Sequence, residues 1–146
     1  MCEIGFYHLT RSTLAQALPQ LLARTLAAGQ RALVLGSNIA ALDALSTALW
    51  AQPVWLPHGS ASDGDADLQP IWLSTEAEPL NGARYLFLVD GGETDRIKDY
   101  DRVFDLFDGN SPEAVAAARV RWKAAKESGH ILAYWQQTES SWQKKA

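Results

Sequence analysis

A tryptophan stands among cations near the end of the chain: Val115, Arg119, Trp122, Lys123 and Lys126 recur at helical spacing, which gathers them along one helix face. Guanidinium and ammonium groups match carboxylates, and an indole packs an apolar side chain. The constellation therefore has the chemistry of a clamp for an acidic peptide that also carries an apolar or aromatic residue. A solvated basic face with Trp122 tucked inward satisfies the same spacing, and the sequence leaves the two readings open. A second group, Leu49-Trp50-Ala51-Gln52-Pro53-Val54-Trp55-Leu56-Pro57-His58, places two tryptophans and two prolines at a helix exit. It fits simple packing as well as a rigid aromatic platform for another protein.

Other residues with chemical potential lack partners at the right spacing. Asp90-Gly91-Gly92 ends a strand-like run, the usual address of an active-site loop in α/β sheets, where an aspartate could hold a metal. Turn formation accounts for the same residues. Gly36-Ser37-Asn38 lies where a dinucleotide fold would carry its glycine fingerprint, but it offers a single glycine and no P-loop lysine. Asp63, Asp65 and Asp67 lack the closing glutamate of a calcium loop. His8, His58 and His130 are scattered, and Cys2 has no second cysteine with which to form a disulfide or a zinc site. No catalytic residues, metal or cofactor are expected.

Composition describes one compact domain. The 146 residues are 47% hydrophobic and 21% charged, enough apolar material for one compact domain over residues 1–146. No apolar run has the length of a membrane span, and the first ten residues lack the pattern of a signal peptide, so a cytoplasmic location is expected. The net charge of −4 argues against a dedicated nucleic-acid binder. It conceals a polarity: from Val115 onward six basic residues face two acidic ones, whereas the first 114 residues hold seven basic and fifteen acidic. The basic end should attract an acidic partner.

The elements that must position these groups alternate. Glu3 to Leu9 reads as a strand. Leucines at 14, 18, 21, 22 and 26 predict a helix over Thr10 to Ala28, closed by Gly29, and Pro19 predicts a kink or separate first turns. Arg31 to Leu35 predicts a strand. Ser37 or Asn38 should cap the next helix, with Ile39, Leu42, Leu45 and Leu49 as its buried stripe. Val54 to Leu56, Ile71 to Ser74, Arg84 to Asp90 and Asp101 to Phe107 are strand candidates, and Ser60 to Gln69 reads as a surface loop. Ser111-Pro112-Glu113 opens a helix that runs to about Ser128, and His130 to Gln136 forms the last strand. Strands separated by helices predict an open α/β sheet covered on both faces, with some parallel pairing.

Phe6-Tyr7-His8-Leu9, G-Q-R-A-L-V-L, L-W followed by W-L-P-H-G, P-I-W-L, R-V-F-D-L-F-D-G, A-A-A-R-V-R-W-K and G-H-I-L-A-Y-W-Q-Q occur in this order over nearly the whole chain. Together they resemble the chi subunit of bacterial DNA polymerase III. The resemblance implies a three-layer open mixed sheet with helices on both faces, Rossmann-like but without a phosphate-binding loop. It also implies a non-catalytic accessory subunit of the clamp-loader complex in DNA replication. Such a subunit bridges the psi subunit and the acidic C-terminal tail of single-stranded DNA-binding protein (SSB), and meets single-stranded DNA only indirectly. Carried onto this sequence, the psi-contacting positions fall on Trp50 and Trp55, with Leu49 beside them. The tail-binding positions fall on Arg119, Trp122 and Lys123, with Phe107 as a neighbour. Val115 and Lys126 join them through helical spacing. The SSB tail ends in acidic residues, an apolar Pro-Phe and a free carboxylate. Arg119 would pair with a carboxylate, Lys123 and Lys126 would attract the acidic run, and Trp122 would wall the apolar pocket. The rival readings are a small α/β nucleotide-binding domain or enzyme using the loop after Asp90, and direct binding of single-stranded DNA through the basic helix and exposed tryptophans.

Overall fold

The computed structural model describes residues 2–53, 55–138 and 142–146. Strand β1 (Glu3–Leu9) is followed by helix α1 (Leu14–Ala27), β2 (Ala32–Leu35) and α2 (Ile39–Trp50). Four strands come next: β3 (His58–Ser60), β4 (Ile71–Ser74), β5 (Tyr85–Leu88) and β6 (Arg102–Asp108). Helix α3 (Pro112–Glu127) then leads to β7 (Ile131–Gln137) and β8 (Trp142–Lys144). Single 3-10 turns lie at Ala66–Leu68 and Ile97–Asp99.

The strands form one sheet in the order β3-β4-β2-β5-β6-β1-β7-β8, parallel except for the β7–β8 pair. The chain crosses the sheet from β1 through β2 to β3 with α1 and α2 against one face. Leu18, Leu22, Leu42, Leu45 and Leu49 pack there on Tyr7, Leu9, Val34 and Phe87. It then returns from β3 to β6, and on to β7, with its connections on the opposite face. Ala83, Tyr100, Ala118 and Ala125 join Ile4, Phe6, Leu33, Trp72 and Phe107 in a second core there. A reversal of travel with a change of face is what right-handed crossovers require. The expected three-layer mixed sheet is thus observed. No helix among the described residues is long and apolar enough to cross a membrane.

Local chemistry sets the element ends. Asn38 rather than Ser37 caps α2, its Oδ1 accepting the Ala41 N–H at 2.7 Å, while the Ser37 hydroxyl donates to the Asp90 carbonyl. Ser111 caps α3 by accepting the Ala114 N–H at 3.2 Å, with Pro112 in the first turn. Gly29, at φ 76°, takes the left-handed conformation just past α1.

Five expectations need correction. Pro19 does not split off the first turns: α1 runs continuously from Leu14 to Ala27, and buried Pro19 removes a single interior hydrogen bond. Ile39 is not part of the buried stripe but 68% exposed, because it lies about 90° around the helix from the line of Leu42, Leu45 and Leu49. The strand expected at Val54 to Leu56 is absent from Trp55 and Leu56, and Val54 lies outside the described residues. Pairing starts after Pro57, at His58, because prolines at 53 and 57 cannot donate to a ladder. Ser60, expected in the surface loop, is the last residue of that strand. Finally, β7 is not the last strand, since the short β8 pairs antiparallel with it.

Candidate functional site

Three places carry the residues singled out above. The first is the crevice at the carboxyl ends of β1 and β6, where the chain leaves toward opposite faces and where α/β sheets usually bind ligands. It encloses about 560 Å3 and includes Thr10, Arg11, Ser12, Asp90, Asp108 and Arg121 in its lining. Its donors are already engaged. The N–H groups of Thr10, Arg11 and Ser12 all donate to one atom, Gln137 Oε1, at 3.0, 2.9 and 3.1 Å, and Thr13 N–H donates to Gln16 Oε1 at 2.9 Å. These converging amides make the kind of nest that elsewhere holds a phosphate, and here a carboxamide from β7 fills it. The loop after β5 is likewise built as a turn. Asp90 and Gly91 have φ of 49° and 76°, and a Cβ on Gly92 would stand 2.5 Å from the Leu35 carbonyl oxygen. Burial raises the Asp90 carboxyl above its ordinary value. Among the described residues no group of three or more His, Cys, Asp or Glu stands together to hold a metal.

The second place is a basic and aromatic ledge between α3 and β7. Alternation along β1 sends Phe6 and His8 to the α3 face, and the register sets Tyr134 of β7 beside Phe6. Trp122 packs edge-on against both rings, with centroids 5.2 Å from Phe6 and 5.8 Å from Tyr134. The Tyr134 hydroxyl and His8 Nδ1 are 2.6 Å apart, and the His8 ring lies 5.1 Å from that of Phe107. Trp122 and Val115 are half-buried, while Arg119, Lys123 and Lys126 are exposed and form no ion pair with another described residue. Burial raises the Tyr134 hydroxyl above its ordinary value, against the opposing charge of Arg119 nearby. The two readings of the helix therefore merge: the indole is tucked against the sheet, and the cations stand beside it in solvent. Arg121 does not belong with them, since its guanidinium is held by Asp105. Phe107 is buried, so it backs the ledge instead of lining its surface. His8 and Tyr134 are the residues that sequence reasoning missed. The alternation of F-Y-H-L and I-L-A-Y-W-Q already sets His8 on the side of Phe6, and Tyr134 on the side of Leu132.

The third place is the exit of α2. Trp50 is 57% and Trp55 78% exposed, while Leu49 is buried in the core beneath them. Leu49 thus anchors this surface from below and does not present itself on it. The Trp50 ring lies 4.1 Å from that of His58. His58 is itself fixed, because its Nδ1–H donates to the Leu56 carbonyl at 2.7 Å and its Nε2 accepts the Ser46 hydroxyl at 2.9 Å. One large ring, Trp50, thus rests on a fixed base, and Trp55 adds a second exposed ring close by in sequence.

The model of a protein family described as "DNA polymerase III chi subunit, HolC" matches residues 1–133. The chain belongs to this family. A curated relative, the probable DNA polymerase III subunit chi of Rickettsia prowazekii (strain Madrid E), is 24% identical over 109 residues. That match takes in 71% of this chain and 66% of the relative's length. The segments that carry the chi resemblance meet in space. F-Y-H-L lies in β1, R-V-F-D-L-F-D-G forms β6 and its turn, A-A-A-R-V-R-W-K forms the middle of α3, and G-H-I-L-A-Y-W-Q-Q forms β7, so four of the seven blocks build the ledge.

Proposed function

We propose that this chain is a non-catalytic subunit of DNA polymerase III that works in replication by joining two proteins. In this reading the psi subunit docks on Trp50 and Trp55, and the acidic C-terminal tail of SSB docks on the ledge of Arg119, Trp122, Lys123 and Lys126. The observation that carries it is the placement of these two surfaces. They occupy opposite faces of one sheet, and β3 and β7 are six strand spacings apart, roughly 29 Å. Two partners can therefore sit on the molecule at once without meeting.

The chemistry of the ledge supports the tail as its ligand. Arg119 offers a planar fork of donors to a carboxylate, and Lys123 and Lys126 place further positive charge about one and two turns on. Trp122 and Tyr134 supply ring faces for an apolar residue. Single-stranded DNA is then reached through SSB, which agrees with the acidic bulk of the chain.

Titration of the full chain with psi and with a synthetic SSB tail peptide, separately and together, tests the reading. Arg119→Ala should weaken the peptide at least about tenfold and leave psi unchanged. Trp50→Ala should do the reverse. Unchanged peptide affinity in Arg119→Ala overturns the tail assignment, and loss of one partner on saturation with the other overturns the bridge.

A further inference from the structure

Helix α3 carries the ledge, and apart from half-buried Val115 and Trp122 its apolar side presents only small side chains to the sheet. Its fully buried residues are Ala118 and Ala125, two small side chains that form a smooth underside. Large knobs set the azimuth of most helices, and alanines do so poorly. The sheet beneath supplies another device. Asp105 of β6, Phe6 of β1 and Tyr134 of β7 are register partners and form one row across the sheet. Two consecutive helix residues grip the ends of this row. Arg121 donates through Nε and Nη2 to the two Asp105 carboxylate oxygens at 2.6 and 3.0 Å. Trp122 packs on Phe6 and Tyr134.

Asp105 is 2% and Arg121 14% exposed at the side chain. A carboxylate buried in a central strand is costly to desolvate, and an apolar pair of the same size commonly serves stability as well or better. Such pairs are best understood where they fix register. Consecutive helix residues diverge by about 100° around the axis, so Arg121 and Trp122 can both stay engaged at only one rotation of α3. A roll of about 20° would carry a guanidinium about 8 Å from the axis through about 3 Å, more than a hydrogen bond tolerates. Glu93, 3.9 Å from Arg121 Nη1, adds a second carboxylate on the solvent side of the pair.

We propose that Asp105 and Arg121 are positioning residues for the ledge: they lock the rotation of α3 so that Arg119, Trp122 and Lys123 face the tail together. This rests on the SSB-tail reading above for its ligand, but its geometric content is independent of any ligand. The pair touches neither Trp50 nor Trp55, so the psi surface is unaffected by its loss.

The test compares wild type with Asp105→Leu/Arg121→Met, which removes both charges, and with Arg121→Lys, which keeps the charge but loses the fork. Each full-length protein is examined for melting temperature, tail-peptide and psi affinity, and nuclear Overhauser contacts between Trp122 and the Phe6 and Tyr134 rings. The double variant should melt at or above the wild-type temperature and bind psi normally, yet lose about tenfold in peptide affinity and lose the Trp122 ring contacts. Arg121→Lys should fall between the two proteins, and it carries the test alone if the double variant does not fold. A folded variant with wild-type peptide affinity and intact ring contacts overturns the proposal. If wild type itself fails to bind the peptide while the variants lose the ring contacts, the tail reading falls and the positioning role stands.

Discussion

Replacing Trp55 by alanine separates a contact surface from a packing residue. The residue is 78% exposed. A tryptophan offers up to about 250 Å2, so roughly 200 Å2 of this ring faces solvent. At about 25 cal/mol per Å2, complete cover by a partner would contribute about 5 kcal/mol, and measured truncations at interface centres fall near 2 to 4 kcal/mol. Psi affinity should therefore drop by about 30-fold to 1000-fold. The remaining fifth of the ring touches its own chain, which limits the stability loss to about 1 kcal/mol, or a melting shift of about 3 °C. Calorimetric titration with psi and thermal denaturation, run on the same preparation, measure both. Psi affinity within about threefold of wild type would refute the assignment of this surface. So would a stability loss as large as the affinity loss, because Trp55 would then act through the fold. Trp50 provides the contrast: its ring rests on His58 at 4.1 Å, so Trp50→Ala should lower affinity and stability together.

Raising salt from about 0.05 M to about 0.5 M should weaken the tail peptide strongly and psi little, because only the ledge attracts by exposed charge; equal slopes would contradict the division. Gln137→Ala strips three N–H groups of their common acceptor and should cost about 2 kcal/mol. Hydrogen exchange should speed up selectively at Thr10, Arg11 and Ser12, and unchanged protection there would count against the nest. Burial lifts the Tyr100 hydroxyl to about 12 from an ordinary value of 10.0, and it donates to the Ala77 carbonyl at 2.5 Å. The folded state then keeps a proton that the unfolded state releases, so stability should fall by roughly 2 to 3 kcal/mol as pH rises from about 10 to about 12. Tyr100→Phe should remove that component of the slope; a slope identical to wild type would mean the hydroxyl ionises normally in the fold.

The helices were legible because their ends carry side-chain chemistry. Gly29, Asn38 and Ser111 each act at one position through one bond or one backbone angle, and such signals survive without tertiary context. Strand β1 was legible for another reason: it is covered on both faces and reads as an apolar run with the expected bounds. The errors fall where a neighbour decides. Nothing local distinguishes Ile39 from Leu42 until the sheet fixes which side of α2 faces inward. Strand β8 is only three residues long and exists because β7 offers it an edge. At the ledge, helical spacing found Arg119, Trp122, Lys123 and Lys126, but it could not separate Arg121 from them, because Asp105 lies on a strand sixteen residues earlier. His8 and Tyr134 come together only through the β1–β7 register, across 126 residues of sequence.

The nest at the end of β1 has a mechanical consequence. A turn that waits for a phosphate must empty and refill, and its order changes with each visit. Here the acceptor is a side chain of the same molecule, so the turn needs no outside ligand to complete it. The first strand, the start of α1 and the β7 edge are tied into one body by Gln137, and the ledge is built on two of those three parts. A ligand that docks on the ledge meets parts that hydrogen bonds already tie together. The surfaces that carry the exposed tryptophans and the cations share one continuous sheet, in which β1 is bonded along its length to both β6 and β7.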